Sequence, residues 1–285
     1  MQVSLIITVL NEGESIRSLM DSICEQTRPP DEIVVCDGGS TDSTLAVLRE
    51  YEGALPLRII VRPGANISAG RNAAISAAAH DVLAVTDAGV RLDPHWLERL
   101  LAPLEADPQT QVAAGFFLPD PATPFEVAMG ATVLPELRDL DPERFMPSSR
   151  SVAFRRAALQ QVGGYPEWLD FCEDLVLDFR LAAHYQPFAF APDAVAHFRP
   201  RPSLRAFWRQ YYQYARGDGK ADLFLHRHLI RYATYLVAAP LLLLSARRKS
   251  RGWLLALLAG AAAMLRTPYR RLLTQWGGLR PREKA

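Results

Sequence analysis

Along the first 115 residues, short β-branched runs alternate with helical stretches, and this alternation constrains the fold more than any other feature. Val3–Val9 is an apolar run that reads as a buried strand. The cap-type turn Asn11-Glu12-Gly13-Glu14-Ser15 follows, then Ile16, Leu19, Met20 and Ile23 at i, i+3, i+4 and i+7, the signature of a helix with one buried face. Pro29-Pro30 ends it. Ile33–Cys36 is a second strand, and Asp37–Asp42 turns it into a helix carrying Leu45 and Leu48. Arg58–Val61, an alanine-rich helix from Ile67 to Ala79, and Val82–Val85 ending at Thr86-Asp87 continue the series; Asp93-Pro94 caps a helix with Leu97, Leu100, Leu101 and Leu104 inward. Repeated βαβ units imply a parallel sheet with right-handed crossovers and a ligand site outside the carboxyl ends of its strands.

The pattern loosens between Ala113 and Phe154, where six prolines lie between Pro119 and Pro147. Ser151–Phe154 reads as a further strand, and a helix to Val162 is closed by Gly163-Gly164, a C-cap signal. Past Arg199 the chain becomes basic and aromatic, then aliphatic. Tyr232–Ala246 and Gly252–Leu265 carry no charge, and Arg247-Arg248-Lys249-Ser250-Arg251 separates them. As helices these runs reach only about 21–23 Å, short of the roughly 30 Å hydrocarbon layer. Basic residues flank both runs, so no orientation follows from charge. The expectation is an interfacial or re-entrant helical hairpin on anionic lipid, with a buried helix pair as the alternative. The domain boundary is set at 1–222 for the α/β body and 223–285 for the basic, apolar tail.

Charge divides the same way. Residues 1–198 hold 14 Lys+Arg against 28 Asp+Glu, and residues 199–285 hold 18 against 3, although the whole chain nets +1. The uncharged aliphatic runs make lipid, not nucleic acid, the anionic partner of the tail. Three cysteines without paired spacing encode neither a disulfide framework nor a zinc knuckle, which fits a reduced cytosolic setting. The apolar opening lacks a basic n-region and reads as a strand, not a signal peptide.

Three acidic positions fall where a parallel sheet converges its strand ends: Asp37, Asp87 and Glu173-Asp174. Singly, a turn or N-cap accounts for Asp37, an N-cap for Asp87, and the acidic first turn of a helix for Glu173-Asp174. Two of them at adjacent strand ends favour a site. No GxxxxGK[ST] and no GxGxxG after the first strand is present, which argues against a P-loop or a dinucleotide-binding fold.

Val3–Glu12 and Asp31–Asp42 resemble the opening of the family 2 glycosyltransferases of the GT-A fold. The resemblance continues with Gly70-Arg71-Asn72, with Thr86-Asp87-Ala88-Gly89 at the DxD position, with Gly163-Gly164-Tyr165-Pro166-Glu167 ahead of Glu173-Asp174, and with Gln213–Gly217 as a loose QxxRW element. It covers about residues 1–217 and implies an α/β GT-A fold, a mostly parallel sheet with helices on both faces, here followed by the C-terminal helical hairpin.

The resemblance also assigns roles. Asp87, with Ala88, would meet the diphosphate of a nucleotide-sugar donor through Mn2+ or Mg2+, hard cations satisfied by one or two carboxylates plus phosphate oxygens. Gly89 replaces the second acid of DxD. His197 stands where a C-terminal metal-binding His is found, with a satisfied strand-end histidine as the alternative. Thr8, Asn11, Glu12, Asp37 and Gly38 would face the nucleobase and ribose, with a UDP-sugar favoured; Arg71 would lie near the diphosphate or base and Arg216 near the diphosphate, with a solvated helix face as the alternative for each. Asp174 would be the general base of an inverting transfer and Glu173 would orient the acceptor or neighbouring backbone. The tail suggests a lipid-linked or cell-envelope glycan acceptor at the cytoplasmic face of the cell membrane, held peripherally or monotopically. A catalytically degenerate membrane scaffold is the second reading; a GT-A-like nucleotidyltransferase is the third, and Thr8–Ser15 lacks the Gly-rich, Arg-Lys loop it expects.

Overall fold

The computed structural model describes residues 1–275 and divides into two compact units, Met1–Pro121 with Pro135–Pro200, and Ala122–Leu134 with the chain from Arg201 onward. The first unit holds β1 (Val3–Val9), α1 (Ile16–Cys24), β2 (Glu32–Asp37), α2 (Thr44–Arg49), β3 (Leu57–Val61), α3 (Ile67–Ala77), β4 (Val82–Asp87), β5 (Val90–Leu92), α4 (Trp96–Ala106) and β6 (Val112–Pro119). After the excursion of α5 (Pro124–Val133) into the second unit come β7 (Val152–Arg155), α6 (Arg156–Gln161), α7 (Glu173–Tyr185) and β8 (Ala189–Phe198). The second unit adds α8 (Leu204–Lys220), α9 (Leu225–Tyr232), α10 (Ala239–Arg248) and α11 (Trp253–Thr274).

One sheet of eight strands runs in the order β3-β2-β1-β4-β7-β6-β8-β5. Its first half is parallel, as the βαβ repeats require: β1 pairs with β2 and β4, and β2 with β3. Its second half is mixed, because β7 lies antiparallel between β4 and β6, and β5 antiparallel on β8. Burial on both faces explains why the strands read as continuous apolar runs. Alternate residues serve different layers. Leu5, Ile7, Ile33, Val35 and Ala84 pack with Ile16, Leu19 and Met20 of α1 and Trp96, Leu97 and Leu100 of α4. Ile6, Val34, Leu83 and Val85 pack on the other face with Ala73 and Ala74 of α3 and Leu177 and Leu181 of α7.

Within the second unit α11 packs on α5 and α10. Leu229, Ile230, Leu236, Leu241, Leu255, Leu258 and Leu273 are all exposed. The helix containing the first uncharged run extends from Leu225 to Arg248, 24 residues, and is long and apolar enough to cross a membrane. The charge-free run understates the helix because Leu225–Arg231 joins it through a π-helical stretch at Ala233–Ala238, for about 36 Å in all.

Candidate active site

Register fixes the floor of the site. Thr8 stands opposite Asp87 and Val9 opposite Asp37, so both carboxylates flank the end of β1. Their surroundings differ. Asp37 has no exposed surface; its Oδ2 accepts the backbone N–H groups of Gly39 and Ser40, and its Oδ1 the Ser40 hydroxyl. The carboxylate, expected at the base and ribose, is folded into its own loop. Gly39 permits that loop: its φ is +99° and a Cβ there would stand 3.0 Å from Pro63 Cα. The Ser40 hydroxyl accepts the Asn11 N–H and Asn11 Oδ1 accepts the Thr41 N–H, so the loops after β1 and β2 are one hydrogen-bonded unit. Glu12 joins it through its N–H to Thr44 Oγ1. Thr8, Asn11, Glu12, Asp37 and Gly38 are therefore brought together.

The alanine-rich helix α3 holds the other half. Asn66 caps it, accepting the Ala69 N–H, and donates from Nδ2 to the Glu167 carbonyl at 2.6 Å. Ser68 donates to the Leu169 carbonyl. Asn72 donates to the Tyr165 carbonyl and accepts the Tyr165 N–H. Gly164 is required here twice over, with φ +67° and a would-be Cβ 2.9 Å from Asn72 Oδ1. The segment from Gly163 to Asp170 thus reaches α7 along a path set by α3.

Arg71 is the keystone of this arrangement. Its side chain is 2% exposed, and Nη2 donates to Asp87 Oδ1 and Nη1 to Glu173 Oε1, each at 2.6 Å. Its guanidinium also lies 5.0 Å from the centroid of the buried Tyr165 ring. Expected near the diphosphate or base, Arg71 joins the end of β4 to the start of α7 beneath the surface. Burial pushes the Glu173 carboxyl up to about 7, against the pull of Arg71 and with the help of Asp174. Expected to orient the acceptor, Glu173 is turned inward onto Arg71, whereas Asp174 beside it is only half-buried. Cys172, just ahead of them, holds a left-handed φ of 62°.

Two charged residues here escaped the sequence reading. Asp178, one helical turn beyond Asp174, is buried with Oδ2 unpartnered; burial, then the charges of Asp174 and Glu173, push its pKa well above the usual carboxylate range. Its i+4 spacing from Asp174 was the available signal. Arg150, ahead of β7, places Nε 3.7 Å from Asp87 Oδ2. No local pattern announces it, because the aromatic rings against its guanidinium belong to Phe117 on β6 and Phe198 on β8.

His197 and Arg216 make none of the contacts described above. His197 lies on β8 opposite Arg91 of β5, with β7 and β6 between β8 and β4 in the sheet. Burial and the Arg91 charge lower its pKa. Arg216 lies on α8 of the second unit, exposed, donating to Gln213 Oε1. Among the described residues no three His, Cys, Asp or Glu side chains form a metal cage. The donor set still fits a hard cation brought in by a diphosphate: Asp87 is 28% exposed, and nothing stands within 4 Å of where a Gly89 Cβ would be.

The sheet, its helices and carboxylates at the ends of β2 and β4 define a GT-A fold. The glycosyl transferase family 2 model matches residues 4–163, more than half of the chain, and the protein belongs to that family of glycosyltransferases. It is 28% identical over 65% of its length to validoxylamine A glucosyltransferase of Streptomyces hygroscopicus subsp. limoneus, of which it covers 38%. To the succinoglycan biosynthesis protein ExoA of Rhizobium meliloti it is 27% identical, over 83% of this chain and 75% of that one. Among solved structures, the mannosyltransferase PcManGT from Pyrobaculum calidifontis, in complex with GDP-Man and Mn2+, superposes with a TM-score of 0.68 at 22% identity over 99% of this chain and 88% of that one. TarS 1-349 of S. aureus with UDP-GlcNAc gives 0.58 at 19%, over 73% and 61%.

Proposed function

We propose that the protein transfers a sugar, with inversion, from a nucleoside-diphosphate sugar to a hydroxyl of a lipid-linked or cell-envelope glycan at the cytoplasmic face of the membrane. The observation that carries this reading is the Arg71 clasp, which couples the half-buried carboxylate at the end of β4, Asp87, to the helix start bearing Asp174. Asp174 takes the proton from the acceptor hydroxyl as that oxygen attacks the anomeric carbon, while the bond from that carbon to the diphosphate oxygen breaks. Negative charge on Asp174 also favours the oxocarbenium character of the transition state. The loops of Asn11–Glu12 and Asp37–Gly38, with Thr8, form the nucleoside cradle. Asp87, beside Ala88, is the residue that would hold Mn2+ or Mg2+, which supplies Lewis-acid stabilisation of the leaving diphosphate. The nucleotide-sugar complexes of PcManGT and TarS, one containing Mn2+, support this assignment.

Residues 1–222 form the catalytic body in this reading, and residues 223–285 the membrane-associating region. The exposed leucines of α9–α11 and the helix from Leu225 to Arg248 support the membrane assignment, as do the flanking basic residues, which attract anionic lipid. The full-length protein is expected to float with vesicles containing phosphatidylglycerol; equal recovery without vesicles removes the membrane assignment.

Donor binding is tested by thermal melting with UDP, GDP, CDP and dTDP, with and without Mn2+. One nucleotide at a hundred times its Kd stabilises by about 2.7 kcal/mol. A shift enhanced by Mn2+ and diminished in Asp87→Ala supports the reading. Silence across the panel in folded protein favours a degenerate scaffold, the alternative that the single carboxylate at this position keeps open.

A further inference from the structure

Two arginines flank Asp87 and are held differently. Arg71 is buried and spends both Nη groups on carboxylates at 2.6 Å. Arg150 is 24% exposed, and its Nε stands 3.7 Å from Asp87 Oδ2, beyond hydrogen-bond distance. Its position is nonetheless fixed. The Arg150 carbonyl accepts the hydroxyl of Thr86, the residue before Asp87 on β4, at 2.8 Å. Its Nη1 donates to Ser148 Oγ at 3.0 Å. The guanidinium carbon lies 4.7 Å from the Phe198 ring centroid and 5.7 Å from that of Phe117. The guanidinium charge is thus held beside Asp87, and a guanidinium meets phosphate oxygens through its in-plane N–H groups.

The local charge points the same way. Glu173 is committed to Arg71, so Asp87 is the carboxylate between two guanidiniums, and among the described residues no third acid, His or Cys completes a cation cage. Such a site holds a bare cation weakly and an anion well. Open space beside Gly89 leaves room for one.

We propose that Arg150 binds the donor diphosphate directly, next to Asp87, and shares its neutralisation with the divalent cation, so that nucleoside diphosphate binding persists in part without metal. This rests on the donor-site reading above. Charge-assisted hydrogen bonds to a phosphate are worth about 1.5–3 kcal/mol, which corresponds to a tenfold or larger change in affinity.

The test is calorimetric titration of the full-length protein with the uridine and guanosine series (nucleoside, monophosphate, diphosphate), in EDTA and with Mn2+. The wild type is expected to bind a nucleoside diphosphate in EDTA. Arg150→Gln is expected to lose about tenfold for the diphosphate and nothing for the nucleoside, with the loss shrinking to about threefold in Mn2+ as the cation takes over the charge. Arg150→Lys should recover part of the loss. If Arg150→Gln does not melt cooperatively, Phe198→Leu replaces it, with about a threefold loss confined to the diphosphate expected from a less well-held guanidinium. Equal affinity of wild type and variant for the diphosphate, or equal losses for nucleoside and diphosphate, overturns the role of Arg150 while leaving the donor site standing. A wild type that binds no nucleotide in either condition overturns the donor-site reading, and this inference with it.

Discussion

Asp37 and Asp87 end neighbouring strands on either side of β1, each following a buried apolar run, yet they have opposite fates. The loop after β2 curls back on Asp37 through Gly39, which tolerates φ +99°, so two backbone N–H groups and a hydroxyl converge on a carboxylate with no exposed surface. After β4 the chain turns at once into β5, no loop closes over Asp87, and two arginines reach it from α3 and from the segment ahead of β7. An acid at a strand end becomes a turn-former or a site according to what the following few residues do with their N–H groups. Asp37 holds its own loop together, and Asp87 keeps part of its surface exposed.

The most severe way to break this contrast is to remove Arg71. Arg71→Met leaves Glu173 and Asp87 without their shared partner, the former in a buried setting, and breaking a buried pair costs about 3–5 kcal/mol. A drop in melting temperature of about 10 °C is expected, together with loss of transfer. Arg71→Lys does not rescue, because one ammonium cannot span two carboxylates as two Nη groups do. A variant that melts like the wild type would show that the clasp holds nothing.

Asp87 and Asp37 then separate on different axes. In Asp87→Asn the amide oxygen still accepts from Arg71, so the fold is kept, while loss of the charge is expected to lower turnover about 100-fold. Asp37→Ala strands the half-buried N–H groups of Gly39 and Ser40 and is expected to cost about 1–2 kcal/mol of stability with less than tenfold change in turnover of the folded fraction. Melting curves and initial rates on the same preparations distinguish the two. A large rate loss in Asp37→Ala without destabilisation would return that carboxylate to the nucleotide.

The parallel half of the sheet was legible because its information is local: each apolar strand and each helical face is written in a few consecutive residues. The strand-end acids and the pair Glu173-Asp174 followed from the same reading. The mixed half was not. The pairing of β8 with β6 skips from Ala191 to Val195, past Pro192-Asp193, and β7 is placed between β4 and β6 by pairings distant in sequence. Arg150 was hidden for that reason, since its surroundings exist only once β6 and β8 are side by side. Arg71 was picked out by its motif, but its burial between Asp87 and Glu173 was not, because a motif does not report that a side chain is buried. The helix through Tyr232–Ala246 was underestimated because absence of charge was taken as its length.

The comparison is sharpened most finely at Glu173 and Asp174, adjacent acids of which one is clasped and the other half-exposed. Burial raises Glu173 to about 7, above its ordinary value of 4.5, so between those values the folded protein holds a proton that the unfolded chain has released. Stability contributed by this group is therefore present at low pH and declines as pH rises from about 4.5 to about 7. Asp178, raised in the same direction by burial, adds to the decline. Glu173→Gln keeps a hydrogen-bond acceptor for Arg71 and carries no titratable proton. Its stability is expected to flatten by about 1 kcal/mol between pH 5 and 7 relative to the wild type in denaturant titrations. An unchanged slope in Glu173→Gln, with Asp178→Asn alone removing it, would mean that Arg71 keeps Glu173 ionised and that the buried proton resides on Asp178.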